Sequence, residues 1–257
     1  MKFAKNQKNT QLLIAALSLS LFTTVSYADW GVRLGVQNDL AQYDIEGKNK
    51  RSALFSLQYR GDKFNIDKGI SYDLSNSNKH AIELFAASKN EGFKSSTDKL
   101  FKGMSKRKTS LDIGARAIVD TGYLGNAVID MTRDVNASKG FEVGLKLGGI
   151  SPHAPHWTGE KKVRIMAKTG LRYQSAKVAN YYYGVKSSEA TTKRKAYKAK
   201  SATTPFIGFD AQADLTKHFT LDGGLDVSKR AKSIRNSPLT NNKKYQFGAN
   251  IGVSYWF

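Results

Sequence analysis

The chain has 257 residues, no cysteine and a formal net charge of +20 at pH 7. Without cysteine, no disulfide framework can hold the fold together. A net positive charge of this size is typical of proteins that bind nucleic acid. The N-terminal segment predicts export instead, so no nucleic-acid partner is expected. Two explanations of the positive charge remain. It can bind the lipopolysaccharide phosphates and cell-wall carboxylates of the envelope, or it only keeps the loops solvated.

Residues 1–28 have the three regions of a secretory signal peptide. Lysines at positions 2, 5 and 8 precede an apolar run from Leu12 to Val25, and the small-x-small sequence 26–28 follows it. The apolar run is short for a membrane-spanning helix, which needs about 20 residues. The pattern predicts a cleaved signal peptide at 1–28 and a single exported domain at 29–257.

The exported domain alternates apolar and polar residues with a period of two, which is typical of strands with two different faces. In segment 109–121, for example, Leu111, Ile113 and Ala115 fall on one face and Asp112 and Arg116 on the other. Strands are predicted, in chain order, at 30–38, 50–60, 63–74, 80–88, 109–121, 122–132, 140–150, 162–173, 203–215, 219–227 and 244–257.

Alternation fits either a soluble sandwich or a membrane barrel, whose apolar face lies outside. Several predicted strands reach ten or more residues, long enough to cross a bilayer at a tilt, whereas ordinary strands average about five or six. Aromatic residues mark many strand ends, as in interfacial girdles. The sequence therefore predicts an all-β fold, a closed antiparallel transmembrane β-barrel in the outer membrane of a Gram-negative bacterium.

The number of strands depends on the region between residues 60 and 108. Single-chain bacterial barrels have an even number of strands, and the predicted segments number eleven. Either 63–74 is two short strands or 89–107 contains one more. We predict twelve strands, with ten as the alternative.

The connections alternate between long and short, which predicts the orientation of the barrel. Long loops at 133–139, 174–202 and 229–243 are expected outside the cell. The turns at 121–122 and 216–218 and the connection 151–160 are expected in the periplasm. The outer stretches 89–108 and 186–200 are rich in lysine and arginine.

No set of residues indicates catalysis. Of the four histidines only His153 and His156 are close in sequence, and they lack the third protein ligand of a catalytic zinc site. No G-x-S-x-G nucleophile elbow is present. We predict no enzyme, no cofactor and no bound metal.

The polar faces of the strands carry charges that are expected to point into the lumen. Cations concentrate on strands 140–150 and 162–173, and aspartates on 203–215 and 219–227, so neighbouring strands could pair them. Two interpretations remain open: a narrow charge-lined pore, or an ion-pair network that fills a closed barrel. The predicted lumen charges are Asp112, Arg116, Glu142, Lys146, Arg164, Lys168, Arg172, Asp210, Asp214, Asp222 and Asp226.

The face assignment makes an expectation for single substitutions. Arginine in place of Ile113 would lie on the lipid face and is expected to cost about 2–4 kcal/mol near the bilayer midplane. Arginine at Gly114, on the lumen face, is expected to avoid that cost.

The run NYYYGV does not suit a simple strand, because three adjacent tyrosines must face both ways; a folded outer loop or a girdle suits it. Followed by Glu189-Ala190 and AYKA at 196–199, it resembles the signature segment of the MipA/OmpV family of outer-membrane proteins. The tail, with NSPL at 236–239 and FGANIGVSYWF at 247–257, and the strand WGVRLGVQN at 30–38 resemble the same family. The signature residues are Asn180, Tyr181, Tyr182, Tyr183, Gly184 and Val185.

The resemblance spans essentially the whole exported domain. The terminal aromatics Tyr255 and Phe257 resemble the signal by which outer-membrane barrels are recognised for assembly. The basic outer loops and the SPHAPHW turn at 151–157 depart from the family pattern, which weakens the transfer of any particular partner.

The resemblance implies an outer-membrane scaffold that interacts with murein-remodelling enzymes, such as a lytic transglycosylase and a peptidoglycan synthase. A small porin-like channel and a surface adhesin or polyanion binder are the alternatives. Outer-membrane lipid and lipopolysaccharide are expected partners in every case.

Overall fold

A computed structural model describes residues 29–40, 43, 50–75, 77, 79–89, 91–96, 98–151 and 158–257. The signal peptide predicted at 1–28 lies outside the described residues and stays a prediction. His153 and His156 also lie outside them.

The described chain forms a closed antiparallel barrel in which each strand pairs with its neighbours in sequence and β1 closes against β12. No helix among the described residues is long and apolar enough to cross a membrane. The strands are β1 Asp29–Leu40, β2 Lys50–Arg60, β3 Phe64–Ile66, β4 Gly69–Asp73, β5 His80–Lys89, β6 Ser110–Asp120, β7 Asn126–Asp134, β8 Phe141–Gly148, β9 Lys162–Gln174, β10 Ala202–Asp214, β11 Phe219–Lys229 and β12 Tyr245–Trp256, and the helices are α1 Ala176–Tyr183 and α2 Lys232–Arg235.

The prediction of twelve strands is confirmed, and the ten-strand alternative is wrong. Segment 63–74 is two short strands, β3 and β4, which reverse direction at 67–68. In stretch 89–107 the described residues beyond β5 form only a 3₁₀ turn, Lys99–Phe101, and an isolated bridge between Phe93 and Arg107.

The strand predicted at 122–132 begins later, at Asn126. Gly122 and Gly125 have φ values of 68° and 79°, a conformation that is unfavourable for other residues. Gly122 begins the 3₁₀ turn Gly122–Leu124 and Gly125 follows it; this turn reverses the chain between β6 and β7.

The outward face of the barrel is apolar. Phe55 is 74% exposed, Val163 71% and Ile207 63%. A water-soluble surface rarely carries so many large apolar side chains together, so lipid must cover this face. The inward face is polar, with buried Arg33 on β1 and Gln212 on β10.

The two ends of the barrel differ in the length of their connections. The loops after β1, β5, β7, β9 and β11 share one end, and both Asp29 and Phe257 lie at the other. Because long loops of bacterial barrels face outward and short turns face the periplasm, we call these the outer end and the periplasmic end.

Aromatic side chains contact one another around the periplasmic end. Trp30 and Tyr59 have ring centroids 4.6 Å apart, and Tyr255 lies 5.1 Å from Phe219 and 5.3 Å from Phe257. Such a ring matches the interfacial girdle of a membrane barrel.

Two details of the expected arginine substitutions are wrong. Ile113 lies in register with Arg133, which is exposed on the same outward face, so position 113 lies at a level that already holds an arginine rather than at the midplane. At Gly114 a Cβ would lie 2.1 Å from the carbonyl oxygen of Met131. Any side chain there clashes with backbone whatever its charge.

Ile251 and Asn250, adjacent in the middle of β12, provide a cleaner pair. Ile251 is 52% exposed on the lipid face, and Asn250 faces the lumen close to Gly224 and Asp210. We expect Ile251→Lys to lower the free energy of unfolding by about 2–4 kcal/mol, and Asn250→Lys to lower it much less because that position faces the polar lumen rather than lipid. Urea unfolding of the refolded barrels in vesicles measures both; equal losses would contradict the assignment of faces.

Candidate functional site: the lumen and the outer loops

The lumen holds ion pairs between neighbouring and more distant strands. On β9, Arg164 Nη2 lies 2.7 Å from Asp214 Oδ2, and Lys168 Nζ lies 2.6 Å from Asp210 Oδ1 and 2.9 Å from Asp226 Oδ1. These pairs join β9 to β10 and β11, because the cations of β9 face aspartates on the other two strands. The interior is therefore cross-linked by charge along this part of the wall.

Glu142 on β8 is a second centre of charge, buried at the outer half of the lumen. Its Oε2 accepts from Arg172 Nη1 at 3.0 Å and from Lys89 Nζ, and its Oε1 accepts from Gln174 Nε2 at 3.0 Å. Lys89 also lies 3.0 Å from Asp112. Lys89 is on β5, so its contact with Glu142 on β8 reaches over two intervening strands, whereas the other contacts join neighbouring strands.

Three remaining charges of the predicted set have different surroundings. Asp222 binds Arg33, with Arg33 Nε 2.9 Å from its Oδ1. Arg116 pairs with Glu83. Lys146 lines a lumen cavity of about 260 Å³ together with Asp130.

Sequence analysis missed Arg33, Glu83 and Lys89 as lumen residues. The signal for Arg33 and Glu83 was present, because each lies between outward apolar residues of a predicted strand. Lys89 lies one residue beyond the strand predicted at 80–88, so a boundary error hid it.

The predicted signature residues form a helix and its exit at the outer end. In α1, Val178, Ala179, Tyr182 and Tyr183 are buried, which is the i, i+1, i+4, i+5 spacing of one helix face. Tyr181 is turned aside, and its hydroxyl accepts from the backbone N–H of Lys108 at 2.9 Å. Three consecutive tyrosines therefore fit a short helix with one buried face.

The chain leaves α1 through the rest of the signature. Asn180 Oδ1 accepts from the backbone N–H of Ala199 at 3.0 Å. A Cβ at Gly184 would lie 2.3 Å from the carbonyl oxygen of Asn180, so only glycine fits that close approach. Val185 then exchanges two backbone hydrogen bonds with Tyr197, at 2.8 and 2.9 Å.

The outer loops pack into an apolar core of their own, which we call the loop core. Its buried members come from four different loops and both helices, so the loops form one structure. Tyr43 contacts Phe101 with centroids 5.2 Å apart, and Phe93 stacks on Phe101 at 3.9 Å. The members are Tyr43, Phe93, Phe101, Met104, Val178, Ala179, Tyr182, Tyr183, Val185, Ala199, Ala202, Ile234 and Leu239.

Within the loop core, a buried ion pair joins the loop after β5 to the loop after β9. Arg107 donates to both carboxylate oxygens of Glu189, at 3.0 and 2.8 Å, and from its Nε to the carbonyl of Tyr181 at 2.7 Å. Burial alone would raise the pKa of Glu189. Hydrogen bonds from Arg107 and from the backbone N–H groups of Ser105 and Lys186 outweigh it and hold the pKa at about 2.

Glu91 lies where the loop core meets the lumen. Its carbonyl accepts from the Tyr43 hydroxyl at 2.9 Å. Burial first, and then the negative charge of Glu142, raise the pKa of Glu91 to about 7, against the opposing effect of Lys89 and Arg172. This carboxyl therefore keeps its proton into the neutral range.

A basic groove of about 830 Å³ runs over the outer surface of the loop core. Its lining contains no acidic side chain among the residues that the structure describes. Tyr181 and Tyr197 line it with their rings, and Arg107 lies in its floor. Its exposed cations are Lys106, Lys139, Lys177, Lys186 and Lys198.

The described residues contain no group of three or more His, Cys, Asp or Glu side chains placed to hold a metal ion. At the C-terminus, Phe257 is 62% exposed and its backbone N–H donates to Trp30 at 2.9 Å. Tyr255 and Phe257 thus lie in the periplasmic girdle, and their role in assembly stays a prediction.

A closed antiparallel barrel with an apolar outer face and a charged interior defines an integral outer-membrane β-barrel protein. Within that class, the family described as MltA-interacting protein MipA matches residues 31–257. The chain belongs to that family, which confirms the resemblance in its sequence.

Relatives of this chain are themselves outer-membrane proteins. It is 27% identical to outer membrane protein Omp26La of Vibrio anguillarum, over 80% of this chain and 78% of the relative. It is 25% identical to outer membrane protein OmpV of Vibrio cholerae, over the same shares. The NanC porin structure, 11% identical, aligns over 88% of this chain and 98% of that one with a TM-score of 0.40, too low to carry an argument.

The Arg107–Glu189 pair gives a test of the loop core. We expect Glu189→Gln to destabilise it by about 3–5 kcal/mol, because a buried arginine loses its counter-charge. Trypsin should then cleave the outer loops faster at pH 7, while the exposed periplasmic Glu160→Gln should behave as the parent does.

The same carboxylate predicts a pH dependence of the parent protein. A folded pKa of about 2 against an ordinary value of 4.5 means that Glu189 contributes its full stability above pH 4.5 and loses it as the pH falls towards 2. Pepsin cleavage of the outer loops should therefore rise over that interval in the parent. A Glu189→Gln variant that keeps the same pH profile would show that this pair does not hold the loops.

Proposed function

We propose that this protein is a non-enzymatic outer-membrane scaffold whose periplasmic end binds murein-synthesising and murein-hydrolysing enzymes. The observation that carries the proposal is the family match, since the family is described as an MltA-interacting protein and the match covers residues 31–257. A partner in the murein layer can reach only the periplasmic end of a barrel, so the contact is expected at the periplasmic turns.

The periplasmic end offers exposed side chains suited to a protein contact. In the turn between β6 and β7, Tyr123 is fully exposed and Leu124 is 63% exposed. Lys161 is exposed where the connection 149–161 enters β9. Exposed side chains of this kind at the periplasmic end suit a scaffold that binds other proteins.

Site-specific photo-crosslinking in intact cells tests the proposal. A benzophenone amino acid in place of Tyr123 or Lys161 should crosslink to a lytic transglycosylase or a peptidoglycan synthase. The same group in place of Lys198, at the outer end, should not. Crosslinks to lipid alone from Tyr123 and Lys161 would show that these residues only anchor the rim.

The basic groove supports a second candidate function, the binding of an external polyanion. Among the described residues Lys106, Lys177, Lys186 and Lys198 have no ion-pair partner, so their charges are directed to solvent. Tyrosine rings beside cations suit a sulfated or phosphorylated saccharide, because the sugar ring can stack while the anionic groups meet ammonium groups.

Charge removal at matched positions tests this second function. Lys177→Gln, Lys186→Gln and Lys198→Gln together should weaken binding of dextran sulfate about tenfold, at about 0.5 kcal/mol for each exposed pair. The matched control removes three exposed outer lysines that do not line the groove, Lys99, Lys102 and Lys193.

Two further measurements locate the binding and its source. Binding should weaken steeply with salt, and uncharged dextran should not bind. Equal losses of affinity in both triple variants would show only a general attraction of the basic loops for polyanions. Binding to vesicles with and without lipopolysaccharide distinguishes a lipid headgroup from a soluble glycan as the ligand.

The pore stays a prediction. The ion pairs along the lumen face, and the loop-core residues Tyr183 and Ile234 that line its outer cavity, favour the closed interpretation of the lumen charges.

A further inference from the structure

Strand β2 has a partner on only one side for most of its length. It pairs with β1 from Arg60 to Lys50, but with β3 only through Tyr59 and Arg60. β3 has three residues and β4 five, so the wall beside β2 ends well below the outer end of β2. Among the described residues, no strand pairs with this side of 50–58.

A cavity of about 810 Å³ follows this edge. Its lining includes five consecutive residues of β2, from Ser52 to Ser56. Successive side chains of a strand point to opposite faces, and the lining includes the outward Ala53 and Phe55 as well as the inward Leu54. Beside an edge that has no strand partner, the cavity can therefore reach the outer face of the wall. Across the opening lie Lys68, in the turn between β3 and β4, and Ser88, near the end of β5. We call this opening the side window.

The side window opens at the depth of the hydrocarbon. Phe55, 74% exposed on its rim, lies in register with Leu34, which in turn lies opposite Val253. All three belong to the outward apolar face, above the girdle residue Tyr59. Unpaired backbone in hydrocarbon costs several kcal/mol for each group, so this edge needs water from the lumen or a ligand.

The cavity has both apolar and cationic residues in its lining. Leu54, Phe55 and Phe206 provide apolar surface. Arg172 uses one nitrogen for Glu142 and keeps 45% of its side chain exposed, and Lys68 is exposed without an ion pair among the described residues. The part of the lining that the structure describes has three acids: Asp226 is bound by Lys168, Asp67 accepts from Gln58, and burial raises the pKa of Glu91 to about 7.

We propose that the side window admits a single-chain amphiphile with an anionic head group from the bilayer. The acyl chain lies along the free edge of β2 and the head group meets Lys68 at the opening, with Arg172 as a further cation in the lining. The volume falls within the range of about 300–1,000 Å³ usual for small-molecule sites. This site is independent of the proposed scaffold, because it uses the wall of the barrel rather than the periplasmic turns.

Tryptophan quenching by lipids with brominated acyl chains tests whether the window is open. Leu54→Trp places an inward-facing indole at the window, and Val128→Trp places one on the inward face of β7, away from it. In vesicles of brominated phosphatidylcholine we expect the added fluorescence to be lost at position 54 and retained at 128. Heat-modifiable gel migration shows that both variants fold. Equal shielding of both positions would overturn the proposal.

Photolabelling tests the ligand class. A diazirine analogue of palmitic acid should label peptides from β2, and unlabelled oleate should compete, whereas a neutral fatty alcohol should compete poorly. Lys68→Gln, on an exposed turn, should weaken the competition by oleate without changing the fold. Labelling spread evenly around the barrel, or competition by the alcohol equal to that by oleate, would overturn the assignment of an anionic amphiphile.

Discussion

The structure depends on closing a sheet inside a solvent that forms no hydrogen bonds. In a bilayer each backbone N–H and C=O needs a partner within the protein, and β1 meets that demand by pairing with β12 from Gly31 to Leu40. Closure then places half of all strand side chains in an enclosed interior. The lumen charges follow from that geometry: outward positions must be apolar, so polar residues collect within, where they require counter-charges.

The interior is filled by pairing large side chains with glycines on neighbouring strands. A Cβ at Gly252 would lie 2.7 Å from the Arg33 guanidinium, and one at Gly31 would lie 2.8 Å from the Trp256 ring. Trp256 is almost fully buried at the periplasmic end, with the Arg60 guanidinium 4.5 Å above its ring. Glycines on the polar face thus have a volumetric role: they give room for charged and aromatic groups that would otherwise not fit across the barrel.

The alternation of side chains predicted the long strands and their faces well, because burial in lipid selects for it at nearly every position of segments such as 203–215. It failed where packing outweighs pattern. Segment 63–74 alternates like one strand although a turn at 67–68 divides it, and α1 forms because Tyr182 and Tyr183 bury one helix face. The side window arises from the shortness of β3 and β4, a property of register between strands that no single segment encodes.

Two separate sources of stability hold the wall and the loops. The wall is held by strand pairing and by lipid on its apolar face, whereas the loop core buries its own apolar residues and is cross-linked by the Arg107–Glu189 pair. A substitution such as one at Phe101 can therefore disturb the loops and leave the barrel intact. The proposed groove, side window and periplasmic contact lie on different parts of this structure, so a substitution in one is expected to leave the other two intact.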